Sequence, residues 1–369
     1  MSGSDAECVG VRHLRVLADR PRPAGSSAER DARAYAAGVL AILGYDVREE
    51  RFAYSAFPGR YATPIAGGIL GATIGVASCL GLSGNANGAA AVLVSGIAVT
   101  ALFARWMLAS GVLSAPWLRR EGVNLVATRG PTEPRVWLVA HLDSKSQPVP
   151  SALRVAGVGL LALALVLSTI AVVMTLAGLP VQTIWWLALA GGVAGALPVT
   201  ASLVGARSNG AVDNASGVAA VLAAAAAVSR GSACGVLLPS AEELGLAGAR
   251  AWVRSHPAGI ALNCDGVDDG GTLVIMYNRP RPAGVITAIQ GVAESARIGR
   301  VRARQMPLGL LTDSTAFAAA GWQTVTVSHG SLATLLRVHT SRDSLENLQG
   351  SSIDAVAGVL ARSVELLAT

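Results

Sequence analysis

Charged side chains are scarce in this sequence: Asp, Glu, Lys and Arg make up 14% of its 369 residues, against about 25% in an ordinary globular domain. With 52% of the chain hydrophobic and a mean hydropathy of +0.51, the shortage argues against a purely soluble protein. Cysteine is scarce too. Cys8, Cys79, Cys234 and Cys264 show no paired spacing, which suggests neither a disulfide framework nor a thiolate zinc site and favours small buried hydrophobes over reactive thiols. The opening stretch MSGSDAECVGVRHLRVLADR has no apolar core of the signal-peptide kind, so export would have to use an internal segment. A basic stripe with interleaved aromatics is missing as well. The net charge of +6 therefore does not read as a nucleic-acid surface.

What is present is unevenly placed. Between Tyr61 and Ala115 the only charge is Arg105, and between Ser151 and Val204 the only charge is Arg154. Each block is long enough for two spans of about 20 residues and a short turn. Arg51, Arg60, Arg119, Arg120 and Arg207 flank the blocks, as expected of membrane-proximal positions. The expected division is 1–60, 116–150 and 206–369 as catalytic domain, with transmembrane hairpins at 61–115 and 151–205. Spans are expected at about 62–80, 89–103, 155–178 and 181–204, with turns at GLSGNANG and around Pro180.

Outside the blocks, helical and strand patterns alternate. SSAERDARAYAAGVLAILGY has helical periodicity behind a serine cap and stops at Gly44. DVREERFAY, GVNLVATRG, RVWLVAHLDS, CGVLLP, GIALNCDGV and QTVTVSHG read as strands, SNGAVDNASGVAAVLAAAAAVSR as a loop entering an Ala-rich helix, and further helices are expected around 283–297, from about Asp313 and from about Ser351. This order predicts an α/β fold with a mixed, mostly parallel central sheet flanked by helices, its function collected at strand ends.

Five segments place an acid or imidazole at or just after a short apolar run: VWLVAHLDS, GAVDNASG, VLLPSAEELGL, ALNCDG and LLRVHTSRD. Each has an ordinary explanation when taken singly. His141 could be a satisfied core histidine, Asp213 a helix cap, Glu242 and Glu243 first-turn acids, Asp265 a turn residue and His339 a surface histidine. Together they form a hard nitrogen and oxygen donor set suited to zinc, with manganese or cobalt also fitting. Two adjacent glutamates suit two tasks, one ligating metal and one moving a proton.

The motifs HLDS, GAVDNASGVA, SAEELGLAGA, NCDG and VHTSRDSLENL resemble, in order, those of the co-catalytic zinc exopeptidases of metallopeptidase family twenty-eight, which includes aminopeptidase Y and bacterial leucyl aminopeptidases. RPRPAGSSAERDARAYAAGVLAILGYDV is similar to that family's N-terminal helices. The resemblance implies a zinc exopeptidase-like fold and two Zn2+ ions. Asp213 would bridge them, with His141 and Asp265 completing one site and Glu243 and His339 the other. It further implies that Glu242 is general base and acid, and that Asp143 holds the His141 imidazole in its tautomer. Peptides are the implied substrates. Two departures stand out. Val338 occupies the place of a tyrosine that contacts the tetrahedral intermediate, for which Tyr277 is a substitute donor, and Thr312 precedes Asp313 where the family has serine. For Asp313 a helix cap and a substrate role are both open.

The second apolar block leaves the chain just after His141 and returns just before Asp213, which places the expected membrane near the active-site rim. Both hairpin turns are uncharged while arginines lie at the opposite ends. The positive-inside rule then favours the catalytic domain and both termini in the cytoplasm of a multi-pass membrane aminopeptidase, with the opposite orientation as the alternative. Carboxypeptidase or glutaminyl cyclase chemistry, or an inactive membrane scaffold or receptor, are the alternatives. A coupled transporter is disfavoured because the four spans hold no acidic residue.

Overall fold

The computed structural model describes residues 8–307 and 309–368. Residues 1–7, part of the stretch read as lacking a signal-peptide core, lie outside them. The chain divides into two units, one comprising Ser55–Leu118 with Gln147–Gly205 and the other the remainder.

The larger unit is built on an eight-stranded sheet. Its strands are β1 (Asp46–Ser55), β2 (Arg119–Arg129), β3 (Val136–Val139), β4 (Cys234–Leu238), β5 (Ile260–Val267), β6 (Thr272–Tyr277), β7 (Val301–Gln305) and β8 (Gln323–Gly330). They lie in the order β1-β2-β4-β3-β5-β8-β6-β7. The inner four, β4-β3-β5-β8, run parallel, while β2 joins β4 and β6 joins β8 antiparallel. The sheet is therefore mixed, with a parallel centre. VWLV in β3 and CGVLL in β4 are buried along their whole length, as unbroken apolar runs should be when helices cover both faces.

One face carries Val9–Leu17, Gly217–Ala227, Ala283–Ser295 and Ile353–Ala368, whose aliphatic side chains form the main core. The alanines of 217–227 suit this place because their small side chains let the helix sit close to the sheet. The other face is aromatic: Trp137, Trp252, Phe317 and Trp322 pack together, with Trp137 and Trp252 edge to face at 4.7 Å. The six strands read from the sequence are all present. β6 and β7 add to them. β7 reads VRARQ and is half exposed, so it lacks the apolar run that marks an inner strand.

The smaller unit is built on four long helices, Phe57–Leu82, Ala86–Trp106, Ser151–Leu176 and Gln182–Thr200, with a short helical turn at Val112–Ser114. Each of the four is long and apolar enough to cross a membrane. At about 1.5 Å per residue the shortest, of 19 residues, reaches about 28 Å, close to the roughly 30 Å of a bilayer core. Small residues set its packing. A Cβ added to Gly81 would fall 2.1 Å from the Trp185 ring, and one added to Gly96 would fall 2.2 Å from Thr73 Oγ1. Such close approach by small residues is what holds helices together in lipid. Large apolar side chains point outward instead, with Val94 at 70%, Leu102 at 68% and Leu197 at 65% exposure.

Candidate metal centre

Because β4, β3, β5 and β8 are parallel neighbours, their C-terminal ends lie side by side. His141 and Asp143 follow β3, Glu242 and Glu243 follow β4, and Asp265 lies near the end of β5. Asp213 comes from the turn before helix Gly217–Ala227, and His339 from the loop after helix Leu332–Arg337, which itself follows β8. Five segments scattered over 200 residues of sequence thus converge on one edge of the sheet.

Buried partners hold these loops. Arg22 donates from Nε to the Leu142 carbonyl at 3.0 Å, from Nη1 to Asn209 at 2.7 Å and from Nη2 to Gly210 at 3.1 Å. It ties the His141 loop to the Asp213 loop. Asn214 donates from Nδ2 to the Cys264 carbonyl at 2.9 Å and accepts the Gly266 N–H at 3.1 Å, which joins the Asp213 turn to the end of β5. Asp143 accepts the N–H groups of Glu242 at 3.0 Å and Glu243 at 3.2 Å. His339 and Ala241 adopt left-handed backbone conformations, with φ of 66° and 58°. Residues with a Cβ hold such angles only where the surroundings enforce them.

The donor atoms fall into two groups, His141 with Glu242 and Asp265, and Asp213 with Glu243 and His339. Asp213 faces both histidines. Its Oδ1 lies 3.2 Å from His141 Nε2 and its Oδ2 lies 2.8 Å from His339 Nε2. His141 Nε2 is also 3.9 Å from Asp265 Oδ1, and His339 Nε2 is 3.4 Å from Glu243 Oε1. All seven residues read from the sequence are brought together.

The sequence profile of peptidase family M28 matches residues 124–364. The chain belongs to peptidase family M28. No curated protein matches the sequence directly. Among solved structures, the fold is similar to an aminopeptidase from Aneurinibacillus sp. strain AM-1, with a TM-score of 0.56 and 16% identity over 97% of this chain and 93% of that one. It is similar to BSAP, a zinc aminopeptidase from Bacillus subtilis, with a TM-score of 0.58 and 14% identity over 97% and 94%. A glutaminyl cyclase from Porphyromonas gingivalis gives a TM-score of 0.57 and 14% identity over 97% of both chains.

In this M28 chain Asp143 stands beside the His141 imidazole. His141 Nδ1 donates to the backbone carbonyl of Asp143 at 3.0 Å, while the nearest carboxylate oxygen is 3.7 Å away. Both carboxylate oxygens also accept from the Glu242 and Glu243 backbone. A proton on Nδ1 for the Asp143 carbonyl leaves Nε2 as the nitrogen available to a metal ion.

Zinc fits the donor set on two grounds. First, Glu243 Oε1 is buried with no hydrogen-bond partner, an arrangement that costs stability unless a cation answers it. Second, the carboxylates repel one another. Burial, with the charges of Asp213 and Glu243, pushes Asp265 up to about 7. Burial, with Glu243, Asp313 and Asp265, raises Glu242 well above the usual carboxylate range. Asp213 is held well below that range by His141 and His339 despite its burial. Burial opposes the charged form of both histidines, yet the facing carboxylates raise them. An excess of negative charge in a buried cleft is the electrostatic signature of a cation site.

Asp313 is not a helix cap. It opens helix Asp313–Ala319 with no side-chain cap bond at Thr312, and both of its carboxylate oxygens are buried without a hydrogen-bond partner. Burial and the nearby Asp265, Asp143 and Glu243 push it up to about 8. Tyr277 ends β6 with its ring 5.6 Å from the Arg281 guanidinium, packed on the main core. Lys145 carries no motif of its own, yet its ammonium pairs with Glu243 Oε2 and pulls that carboxyl down to about 2 against the effect of burial. One signal for it exists in composition: of 29 lysines and arginines, Lys145 is the single lysine.

Proposed function

We propose that this chain is a membrane-bound two-zinc exopeptidase, and specifically an aminopeptidase. The observation that carries the reading is the division of Asp213, with one oxygen toward His141 at 3.2 Å and the other toward His339 at 2.8 Å. A carboxylate so placed can serve two ligand groups at once. Asp213, His141 and Asp265 would hold one ion, and Asp213, Glu243 and His339 the other. Zinc there supplies Lewis acidity that polarises a carbonyl and makes water nucleophilic near neutral pH. Manganese and cobalt suit the same donors.

Glu242 is the proton carrier in this reading. It shares the His141 and Asp265 group, and its backbone is pinned by Asp143 Oδ1. Its raised affinity for protons suits a group that takes one from water and passes it to the leaving amine. Asp143 acts on orientation: it fixes the backbone from which both glutamates project and sets its Oδ1 3.7 Å from His141 Nδ1, where it favours the ligand orientation of that ring.

Membrane attachment is supported by the helices of the smaller unit. That unit contains no acidic residue, and its outward side chains are apolar, an arrangement that water would penalise at about 25 cal/mol per Å2. The uncharged turns, with arginines at the opposite helix ends, support a cytoplasmic position for the catalytic residues. The test is a substrate panel on detergent-purified, zinc-loaded protein. Release of N-terminal residues from free peptides but not from N-blocked ones is the expected result. Cyclisation of N-terminal glutamine without cleavage would replace the peptidase reading with a cyclase one, and inertness toward all substrates would favour a scaffold.

A further inference from the structure

Lys145 is the one lysine of a chain whose 28 other basic residues (29 less this one) are arginine, and it stands inside the metal centre. Its ammonium pairs with Glu243 Oε2, and its side chain is 16% exposed. The other oxygen of that carboxylate, Oε1, has no hydrogen-bond partner and lies 3.4 Å from His339 Nε2, within the group shared with Asp213. Glu243 is therefore divided between a built-in cation and the ligand group. Both neighbours of Lys145 are pinned. Ser144 Oγ accepts the Arg22 N–H at 3.0 Å and donates to the Ser208 carbonyl at 3.1 Å, and Ser146 Oγ accepts the Arg207 N–H at 2.8 Å. The lysine thus projects from a fixed stretch of backbone.

We propose that Lys145 is a positioning residue that keeps Glu243 a one-oxygen ligand, and that only lysine can do this. An ammonium is a compact point charge that can hold one carboxylate oxygen and leave the other free. A guanidinium is a planar fork that takes both oxygens of a carboxylate in parallel. Arginine at this position would draw Oε1 away from His339 and Asp213, even though the charge is the same. An apolar residue would release Oε2 instead. Glu243 would then be free to chelate with both oxygens and fill a coordination position that a catalytic site keeps open. In a chain that uses arginine everywhere else, the geometry accounts for the exception. The inference rests on the reading that the Asp213, Glu243 and His339 group holds a zinc ion.

The test uses the full-length protein in detergent, stripped with chelator and titrated with zinc against a chromophoric competitor. Lys145→Arg is expected to lose about 10–100-fold in affinity for one of the two ions, while the other binds as before. Lys145→Met, loaded with cobalt, is expected to lose intensity in its visible bands, as a five-coordinate ion absorbs more weakly than a tetrahedral one. Arginine binding as tightly as lysine, or an unchanged cobalt spectrum in the methionine variant, overturns the proposal. A measurement on the unsubstituted protein guards against variants that fail to fold. Carbon-13 lysine labelling yields a single side-chain signal, which zinc should shift; an unmoved signal counts against the proposal. A wild-type chain that binds no zinc removes the metal-centre reading itself, whereas zinc bound equally by all three proteins removes only the role of Lys145.

Discussion

Asp343 holds the backbone of Asp213 from 130 positions away, its Oδ2 accepting the Asp213 N–H at 3.2 Å. Its Oδ1 accepts the neighbouring Val212 N–H at 2.6 Å. The carboxylate that faces both histidines is thus aimed by a second carboxylate, itself buried. Replacing Asp343 with alanine leaves two buried donors without acceptors. The variant should lose about 1–3 kcal/mol of stability and bind zinc more weakly, with Asp343→Asn intermediate because one acceptor survives. Thermal unfolding and zinc competition check this. Unchanged zinc affinity in a destabilised alanine variant would show that Asp343 supports only the fold.

Glu242→Gln separates proton transfer from metal binding. Glutamine keeps the shape and the backbone contact to Asp143 but cannot carry a proton. Turnover should fall by about 10²–10⁴-fold with two zinc ions still bound, as measured by metal analysis. Loss of zinc in parallel with activity would make Glu242 a ligand rather than the base.

The pH dependence of the zinc-free protein has a definite sign. Asp265 and Asp313 are raised from an ordinary 3.8 to about 7 and about 8. A raised carboxyl favours the fold while it keeps its proton, so its contribution is lost as pH climbs from about 4 through the raised value. His141 and His339 are raised too, and their contribution likewise fades as pH rises. Glu243, lowered to about 2, is ionised across this range and adds no slope. The melting temperature without zinc should therefore fall between about pH 6 and 8, while zinc affinity rises as protons cease to compete for Asp265. A zinc-free protein that becomes more stable over that interval would contradict the assignment.

Topology is open to a direct check. Reporters fused into the turns near Asn85 and Gly178, both free of charged residues, should report the outer side of the membrane, and one at the C-terminus the cytoplasm. The reverse pattern would place the catalytic unit outside.

Much of the candidate site was legible because His141, Asp143, Glu242, Glu243 and Asp265 lie at the ends of apolar strands. VWLVAHLDS and ALNCDG show in one line both the buried run and the acid or imidazole that follows it, whereas Asp213 and His339, beside a helix start and after a helix, were picked out by the order of the motifs and lie next to the others in the structure. The four long helices were equally visible, since an 18-residue apolar window needs no tertiary contact to recognise. β7 was not, because an edge strand such as VRARQ has no buried run to announce it.

Local pattern determined which residues are candidates for the chemistry and which segments are long and apolar, as burial periodicity and apolar length are properties of neighbouring residues. Only the tertiary structure decided how the ligands are aimed. Arg22 reaches Gly210, Asp143 reaches Glu242, Asp343 reaches Val212 and Lys145 reaches Glu243 across 188, 99, 131 and 98 positions. Such contacts depend on how the sheet brings loop ends together, and a hydrogen bond or ion pair of that kind leaves no periodic trace in the sequence.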